Sequence, residues 1–482
     1  MRLLLLAAVS VSLVLSAAAG TGTGSERSDA PAETPGNCTG PCGAVNSSMK
    51  QFQHLMEHWA KARNVGLSLG IVAGGTEFTA TAGTNPANKQ SLTASDTLLF
   101  GSGTKAFVGA RVMQLVEKGT ISLGEPVSKY VDPLVAAWGL SQKPQRKGLT
   151  FAQLFEDSHG SGSVANKTTW SLWSSQITVG HCIEMKSGLA DWDGVDCKNG
   201  CDSMDGALSH SLAAQPDRLW SPFDFIEWIA QERDGPPFWF QPGTKCSYTS
   251  TGYQVVGLVL AAVQWAQWGP PPAKWTSLNM RTVFESLNST LVPDKTARYR
   301  SVHFYNNEQL SKYLTVESHS SGHAIFSQSA SSLGWTCGNM VGRPLEVARF
   351  FYDLLGPVPR IVNATTLATM KPTRAFNSHW HSGSPNYKYG AGLMWFMPPL
   401  LCNSSDCAYT GHGGDTWGFV SANGFFETLN VSMSLAIACD KCVDILDTLA
   451  TNFSLTIAGA LRRDASSPSS RSSAHATNHV LN

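Results

Sequence analysis

Apolar positions along the chain repeat with two different periods, and the switches between them lay out the elements. From Met49 to Arg63 they recur at helical spacing. The next stretch, GLSLGIVAGGTEFTATAG (66–83), reads as two strands joined at a Gly74-Gly75 turn. In LLFGSGTKAFVGARVMQLVEKG (98–119) a helix opens at Gly101 and Ser102. Phe107, Val108, Val112, Leu115 and Val116 are its apolar positions, and Gly119 stops it. From about 134 to 330, short helical runs mix with loops rich in Gly, Ser and Trp. LEVARFFYDLLG (345–356) is helical. YGAGLMWFM (389–397), GHGGDTWGF (411–419) and VSMSLAIACD (431–440) read as successive strands. VDILDTLATNFSLTIAGAL (443–461) is a strongly periodic closing helix.

This order predicts an α/β (α+β) fold. Strands from both chain ends, about 49–135 and 331–462, would form one antiparallel sheet flanked by helices. A mainly helical region, about 136–330, would be inserted between them, with a cleft where the two parts meet. Residues 20–48 and 463–482 are poor in apolar residues and rich in Gly, Ser, Thr or Pro. They are expected to be a flexible lead-in and a disordered tail.

The chain begins MRLLLLAAVSVSLVLSAAAG, with Arg2, an apolar run from Leu3, and Ala17 and Ala19 in an A-x-A arrangement. This is the pattern of a secretory signal peptide over 1–19, an uncleaved membrane anchor being the alternative. Export agrees with two further features. N-x-S/T sequons stand at Asn37, Asn46, Asn166, Asn288, Asn363, Asn403, Asn430 and Asn452. The 11 cysteines include the close pairs Cys38/Cys42, Cys197/Cys201, Cys402/Cys407 and Cys439/Cys442, which read as short-loop disulfides in an oxidising compartment. Cys182, Cys246 and Cys337 are left over. Charged residues make up only 15%, the formal net charge is zero and no long basic run occurs, so nothing points to nucleic acid.

Chemistry concentrates at the helix that opens at Ser102. Ser102 and Lys105 are three apart, neighbours on one helix face. A serine hydroxyl becomes a nucleophile only beside a base or a cation that favours its alkoxide. A lysine in apolar surroundings is easier to deprotonate, because burial disfavours its charge. Neutral, it can take the serine proton; the helix N-terminus and the N–H of Ser102 can then serve an oxyanion. The same S-x-x-K spacing recurs at Ser47 and Lys50 ahead of no apolar-lined site, so spacing alone is not specific. In QPGTKCSYTSTGYQVVGLVL (241–260), Tyr248 stands two residues before Ser250, ahead of a helix. Its phenol can exchange a proton in a cleft, or it is simply a core tyrosine. In YTGHGGDTWGF (409–419), glycines flank His412 on a strand edge, a place for close approach of a ligand. Asp415 would there supply a second oxyanion N–H, and His412 would face the cleft as hydrogen-bond donor or general acid; an exposed histidine in a Gly-rich turn is the alternative.

These segments, taken in order with ITVGHCIEMKSGLADW (177–192), resemble the serine β-lactamase and penicillin-binding-protein family over roughly Gln51 to Leu461. The resemblance is to its class C β-lactamase-like branch, which also holds D-alanyl-D-alanine carboxypeptidases, D-aminopeptidases and esterases. It implies a Ser102 acyl-enzyme with Lys105 as partner and Tyr248 as candidate base. Ser250, His412, Gly413, Gly414 and Asp415 would line the substrate and oxyanion positions. Two residues depart from the pattern. Ser250 replaces the Asn of Y-x-N, and serine is too short to be expected to do that residue's two jobs, holding a substrate amide and the lysine. His412 replaces the Lys of Lys-Thr-Gly, which removes a permanent cation for a substrate carboxylate. Both departures favour ester or amide substrates over β-lactams. The extra chain at about 136–175, with Asn166, is expected to form a lid or rim.

The leading reading is therefore a secreted serine hydrolase without a cofactor or bound metal, acting on a small-molecule or peptide substrate. The alternative is a weak or inactive relative serving as a secreted binding or scaffold protein. An unrelated α/β-hydrolase would need G-x-S-x-G on a sharp strand-to-helix turn, and its one occurrence, GLSLG (66–70), lies within an expected strand instead. His379 and His381 form the best metal lure but no partner cluster follows them.

Overall fold

The computed structural model describes residues 38–86, 88–138, 149–156, 164–192, 221–232, 235–268, 298–304, 313–320, 323–324, 334–375, 387–397, 402, 404–440 and 442–466. Its framework is a nine-stranded antiparallel sheet. In chain order its strands are β1 (Gly66–Ala73), β2 (Thr76–Ala82), β3 (Arg374–Ala375), β4 (Tyr387–Tyr389), β5 (Met394–Phe396), β6 (Tyr409–Gly411), β7 (Gly414–Thr416), β8 (Phe419–Phe426) and β9 (Val431–Ala438). Across the sheet they run β2-β1-β9-β8-β6-β5-β4-β3, with β7 also pairing β8. The first strand and the last thus lie side by side in its interior, Gly66 opposite Ala438 and Ala73 opposite Val431. Both chain ends build one sheet, as the hydrophobic pattern predicts. The β1–β2 turn is made by Gly74 and Gly75 at φ 58° and 83°, the left-handed pair that a two-residue hairpin turn of this hand requires.

Strand alternation gives the sheet two unlike faces. Leu67, Leu69 and Ile71 of β1 share one face with Met433, Leu435 and Ile437 of β9. Helices α1 (Gly40–Arg63) and α6 (Val443–Ser466) pack on this side and against each other, with Phe52 and Phe453 ring centroids 4.6 Å apart. The opposite face carries Ser68 and Gly70 of β1, Ser421 and Asn423 of β8, and Ser432 and Ser434 of β9. Helix α5 (Pro344–Leu355) packs there: the Ser432 hydroxyl donates to the Ala348 carbonyl at 2.7 Å, and Tyr352 meets Phe425 edge-on. Helix α2 (Thr104–Glu117), led in by a 3₁₀ turn over Gly101–Gly103, joins the same layer by stacking Phe107 on Phe350 at 3.6 Å. Helix α3 (Ser250–Trp268) packs against α2 and begins two residues after Tyr248.

Four local expectations need correcting. Helix α1 starts at Gly40 rather than Met49, so the expected lead-in ends earlier; the Cys38–Cys42 disulfide sits at this helix start. Residues 389–397 form parts of two strands, β4 and β5, because Gly390 to Leu393 turn the chain. GHGGDTWGF is not one strand either: β6 ends at Gly411, β7 starts at Gly414 and β8 at Phe419. The closing helix continues to Ser466, into the residues expected as a tail. Of the expected lid, helix Val164–Ser175 is described.

Three of the four close cysteine pairs are bonded: Cys38–Cys42, Cys402–Cys407 and Cys439–Cys442. Cys197 and Cys201 lie outside the described residues, and Cys182, Cys246 and Cys337 form no disulfide with one another or with another described cysteine. Among the sequon residues, Asn46, Asn363 and Asn452 are exposed and Asn430 is half-buried in the β8–β9 turn. Asn37, Asn288 and Asn403, like His379 and His381, lie outside the described residues. Among the described residues, no helix is long and apolar enough to cross a membrane.

Candidate active site

The 3₁₀ turn over Gly101–Gly103 presents Ser102 half-buried, and the first turn of α2 carries Lys105 beneath it. Lys105 is 0% exposed. Its Nζ lies 2.9 Å from Ser102 Oγ, 3.2 Å from Ser250 Oγ and 3.0 Å from the Cys337 carbonyl oxygen. That carbonyl, in the short helix α4 (Trp335–Gly338), can only accept, so one N–H of Lys105 is committed to it in either protonation state. The contact with Ser102 can run either way: an ammonium donates to the hydroxyl, an amine accepts from it. The same Nζ stands 4.9 Å from the Tyr248 ring centroid and 5.7 Å from that of Tyr253, both fully buried. These ring faces favour a cation in a pocket whose burial opposes one.

Ser250 does one of the two jobs for which serine looked too short: it reaches the lysine. It can because the start of α3 is drawn inward. The Ser250 N–H donates to buried Asp191 at 2.8 Å, and Trp192 N–H to Thr251 Oγ1 at 3.1 Å. A carboxylate at a helix N-terminus satisfies an otherwise orphaned donor and complements the helix dipole. The SGLADW segment therefore fixes the helix that carries Ser250, and Asp191 is a site residue that motif reading missed. Its signal was an acidic residue inside an otherwise apolar stretch.

The glycine-flanked strand comes directly against the nucleophile turn. A Cβ on Gly101 would lie 3.1 Å from the Asp415 nitrogen, and one on Gly414 would lie 1.9 Å from the Phe100 oxygen. Only glycines allow the turn and β7 to approach this closely. Ser102 and Asp415, the two expected oxyanion donors, thus stand on touching segments. Asp415 is itself exposed.

His412 is not the cleft-facing group the sequence suggests. It is buried. Its Nδ1 lies 2.6 Å from the Gly413 carbonyl, which can only accept, so Nδ1 carries the proton. Nε2 then accepts from the Tyr389 hydroxyl at 3.0 Å. Burial, helped by the charge of Lys105, pushes the imidazole down to about 3, against a smaller opposing effect of the Gly413 bond. Burial likewise holds the Tyr389 phenol well above its ordinary range, keeping it a donor. A neutral imidazole with its only N–H engaged has no proton to give a substrate. His412 is a fixed neutral strut, and the role of general acid is withdrawn.

Among the described residues, no cluster of three or more His, Cys, Asp or Glu could hold a metal. The structure brings Ser102, Lys105, Tyr248, Ser250, His412, Gly413, Gly414 and Asp415 into one locality. It adds Asp191, Tyr389, Cys337 through its carbonyl, and Asn423, which contacts the His412 backbone.

Comparison with known proteins bears on family and fold. A family model described as Beta-lactamase matches residues 50–440. Solved structures of similar fold include a D-stereospecific amidohydrolase from Streptomyces sp., with 19% identity, a TM-score of 0.53, and coverage of 81% of this chain and 94% of that one. A D-amino acid amidase from Ochrobactrum anthropi SV3 has 16% identity and a TM-score of 0.54, covering 86% and 99%. A penicillin binding protein from Bacillus halodurans has 15% identity and a TM-score of 0.55, covering 86% and 99%. No curated protein matches the sequence.

Proposed function

The chain belongs to the β-lactamase family of serine hydrolases, and from that premise we propose that it cleaves an ester or amide through an acyl-enzyme on Ser102. The observation that carries this reading is the 2.9 Å contact between Ser102 Oγ and a wholly buried Lys105 Nζ. In the neutral amine form, Lys105 accepts the hydroxyl proton as Ser102 Oγ bonds to the substrate carbonyl carbon. The carbonyl oxygen, now negative, is held by the N–H groups of Ser102 and Asp415. The protonated lysine, steadied by the Cys337 carbonyl, Ser250 and the Tyr248 ring, returns the proton to the leaving alcohol or amine as its bond to carbon breaks. Water then hydrolyses the acyl-enzyme by the same steps in reverse order. Tyr248 borders Lys105 through its ring face, which supports a part in tuning the lysine; proton transfer by its phenol is a further element of the proposal.

The substrate class follows from what replaces the family's permanent cation. A neutral, doubly engaged imidazole offers no charge to a substrate carboxylate, so neutral esters and amides suit the site better than β-lactams or carboxylate-ended peptides. The amidase descriptions of two structural relatives are consistent with an amide substrate. Ser250, which departs from the Asn of Y-x-N, still contacts Lys105, and this supports catalysis over the scaffold alternative. Export to the extracellular space is part of the proposal. It is supported by the leader-like segment 1–19, the exposed sequon residues Asn46, Asn363 and Asn452, and the three short-loop disulfides.

The test is labelling with a fluorophosphonate probe, followed by turnover of neutral acyl esters, D-amino-acid amides and a chromogenic cephalosporin. Wild type is expected to label, Ser102→Ala not to, and the cephalosporin to turn over least. Labelling of wild type no faster than Ser102→Ala would return the scaffold reading.

A further inference from the structure

We propose that Asn423 is a positioning residue for acylation at Ser102, setting the gap between the nucleophile turn and the strand edge that carries Asp415; this rests on the serine-hydrolase reading above. Strand β8 pairs β6 through Gly411 opposite Gly424, and pairs β7 through Gly414 opposite Ser421. The register is the same on both sides of the interruption, so His412 stands opposite Asn423. The two residues share one ordinary rung, His412 N–H to the Asn423 carbonyl at 2.8 Å. In a regular antiparallel pair the return rung is a second backbone bond. Here the His412 carbonyl accepts instead from the Asn423 side-chain amide at 3.0 Å.

That amide is engaged at both ends. Nδ2 also donates to Ser421 Oγ at 2.9 Å, and Oδ1 accepts from the Ser434 hydroxyl at 2.7 Å. Ser421 in turn donates to the Phe100 carbonyl at 3.2 Å, one residue before the nucleophile turn. All three side chains are essentially inaccessible to solvent. Burying an amide and two hydroxyls is unfavourable unless every polar atom is bonded, and a network so bonded is stiff. The Asn423 amide also lies directly under the turn, 3.0 Å from where a Gly103 Cβ would be. One side chain therefore touches both segments that carry the expected oxyanion donors. With its donors removed, the His412 carbonyl loses this partner, the β6–β7 interruption is no longer tied to β8 there, and Asp415 can drift from Ser102.

Three proteins decide the matter: Asn423→Asp, which keeps size and shape but loses both donors, Ser434→Ala, which removes only the anchor of Oδ1, and the Ser102→Ala control. Folding is checked by circular dichroism and thermal melting. For folded Asn423→Asp, fluorophosphonate labelling and ester kcat are expected to fall together by about 10- to 100-fold, the scale set by misplacing a reacting group by about an ångström. KM should stay within about twofold of wild type, because the residue touches no substrate. Ser434→Ala should show the same split at about threefold. Unchanged labelling and kcat in folded Asn423→Asp, or a loss confined to KM, overturns the proposal. If Asn423→Asp does not fold, unchanged rates in Ser434→Ala overturn it. Failure of wild type to label above the Ser102→Ala control is a different result, and removes the hydrolase reading itself.

Discussion

The two faces of the central sheet are made from the same strands by opposite rules. Toward α1 and α6, every second residue is large and apolar: Leu67, Leu69, Ile71, Met433, Leu435, Ile437. Toward α5 and the nucleophile helix, most intervening positions are small or polar, among them Ser68, Gly70, Ser421, Asn423, Ser432 and Ser434, with Val72, Phe419 and Phe425 the large apolar exceptions. A Cβ on Gly70 would lie only 2.3 Å from the Leu345 backbone, so small side chains let α5 settle onto the sheet itself. The first face stabilises by area removed from water. The second gives up much of that area and gains fixed hydrogen bonds and close backbone approach, which a site holding atoms to fractions of an ångström requires. Stability and chemistry are thus divided across one layer of backbone, and substitutions on each side should separate them.

The largest effect is expected in the chemical layer. Lys105→Ala leaves the packing of α2 on α5 intact but removes the proton acceptor of Ser102. The rate of Ser102 acylation should fall roughly a thousandfold, ~4 kcal/mol in transition-state stabilisation. The thermal midpoint should move by only a few degrees (about 1 kcal/mol), because the lost hydrogen bonds are offset by no longer burying a strongly polar amino group. Single-turnover labelling beside a melting curve reads both quantities. A midpoint that collapses with the rate would mean the lysine holds the fold together and the division is false.

The reciprocal change lies on the apolar face. Leu435, wholly buried, stands opposite Leu69 on two adjacent interior strands of the sheet. Leu435→Ala should cost about 3 kcal/mol of unfolding free energy, the transfer of its lost methyl groups plus the cavity they leave. Ester turnover per folded molecule should stay within about twofold of wild type. Urea unfolding and turnover measured on one preparation test this. Turnover falling tenfold in fully folded protein would show that the apolar face also sets the site's geometry.

The same division explains what was legible in the sequence. Long periodic stretches survive translation into structure because burial of a regular apolar stripe dictates them; the closing helix and the β1–β2 hairpin are examples. The nucleophile helix was legible for a second reason, the chemistry that Ser102 and Lys105 imply together. What could not be read was determined by contacts between distant segments. His412 looked exposed because its neighbours are glycines, yet those glycines let the chain sink against Phe100 and place the ring under Tyr389. Ser250 looked too short until Asp191, 59 residues earlier, was seen to draw its backbone toward the lysine. Asn423 sits in FVSANGFF, where polar residues in an otherwise apolar strand were a usable sign that one face of it is not ordinary core.

His412 sits where the two rules meet, a titratable ring in surroundings as dry as the apolar face, and it carries the smallest predicted effect. The folded protein holds it near 3, against an ordinary value of 6.5. As pH falls below 6.5 the unfolded chain takes up a proton that the folded one refuses, so stability is fully present above that pH and drains away toward pH 3. Between pH 7 and pH 5 the loss from this residue should be about 2 kcal/mol. His181, which burial also holds below its ordinary value, acts in the same direction. The informative quantity is therefore the difference between wild type and His412→Gln, whose loss over the same interval should be smaller by about 2 kcal/mol. Equal losses would mean that His412 titrates normally in the folded protein. A substrate carboxylate would then have a cation to meet after all at mildly acidic pH, and preference for neutral substrates would hold only above it.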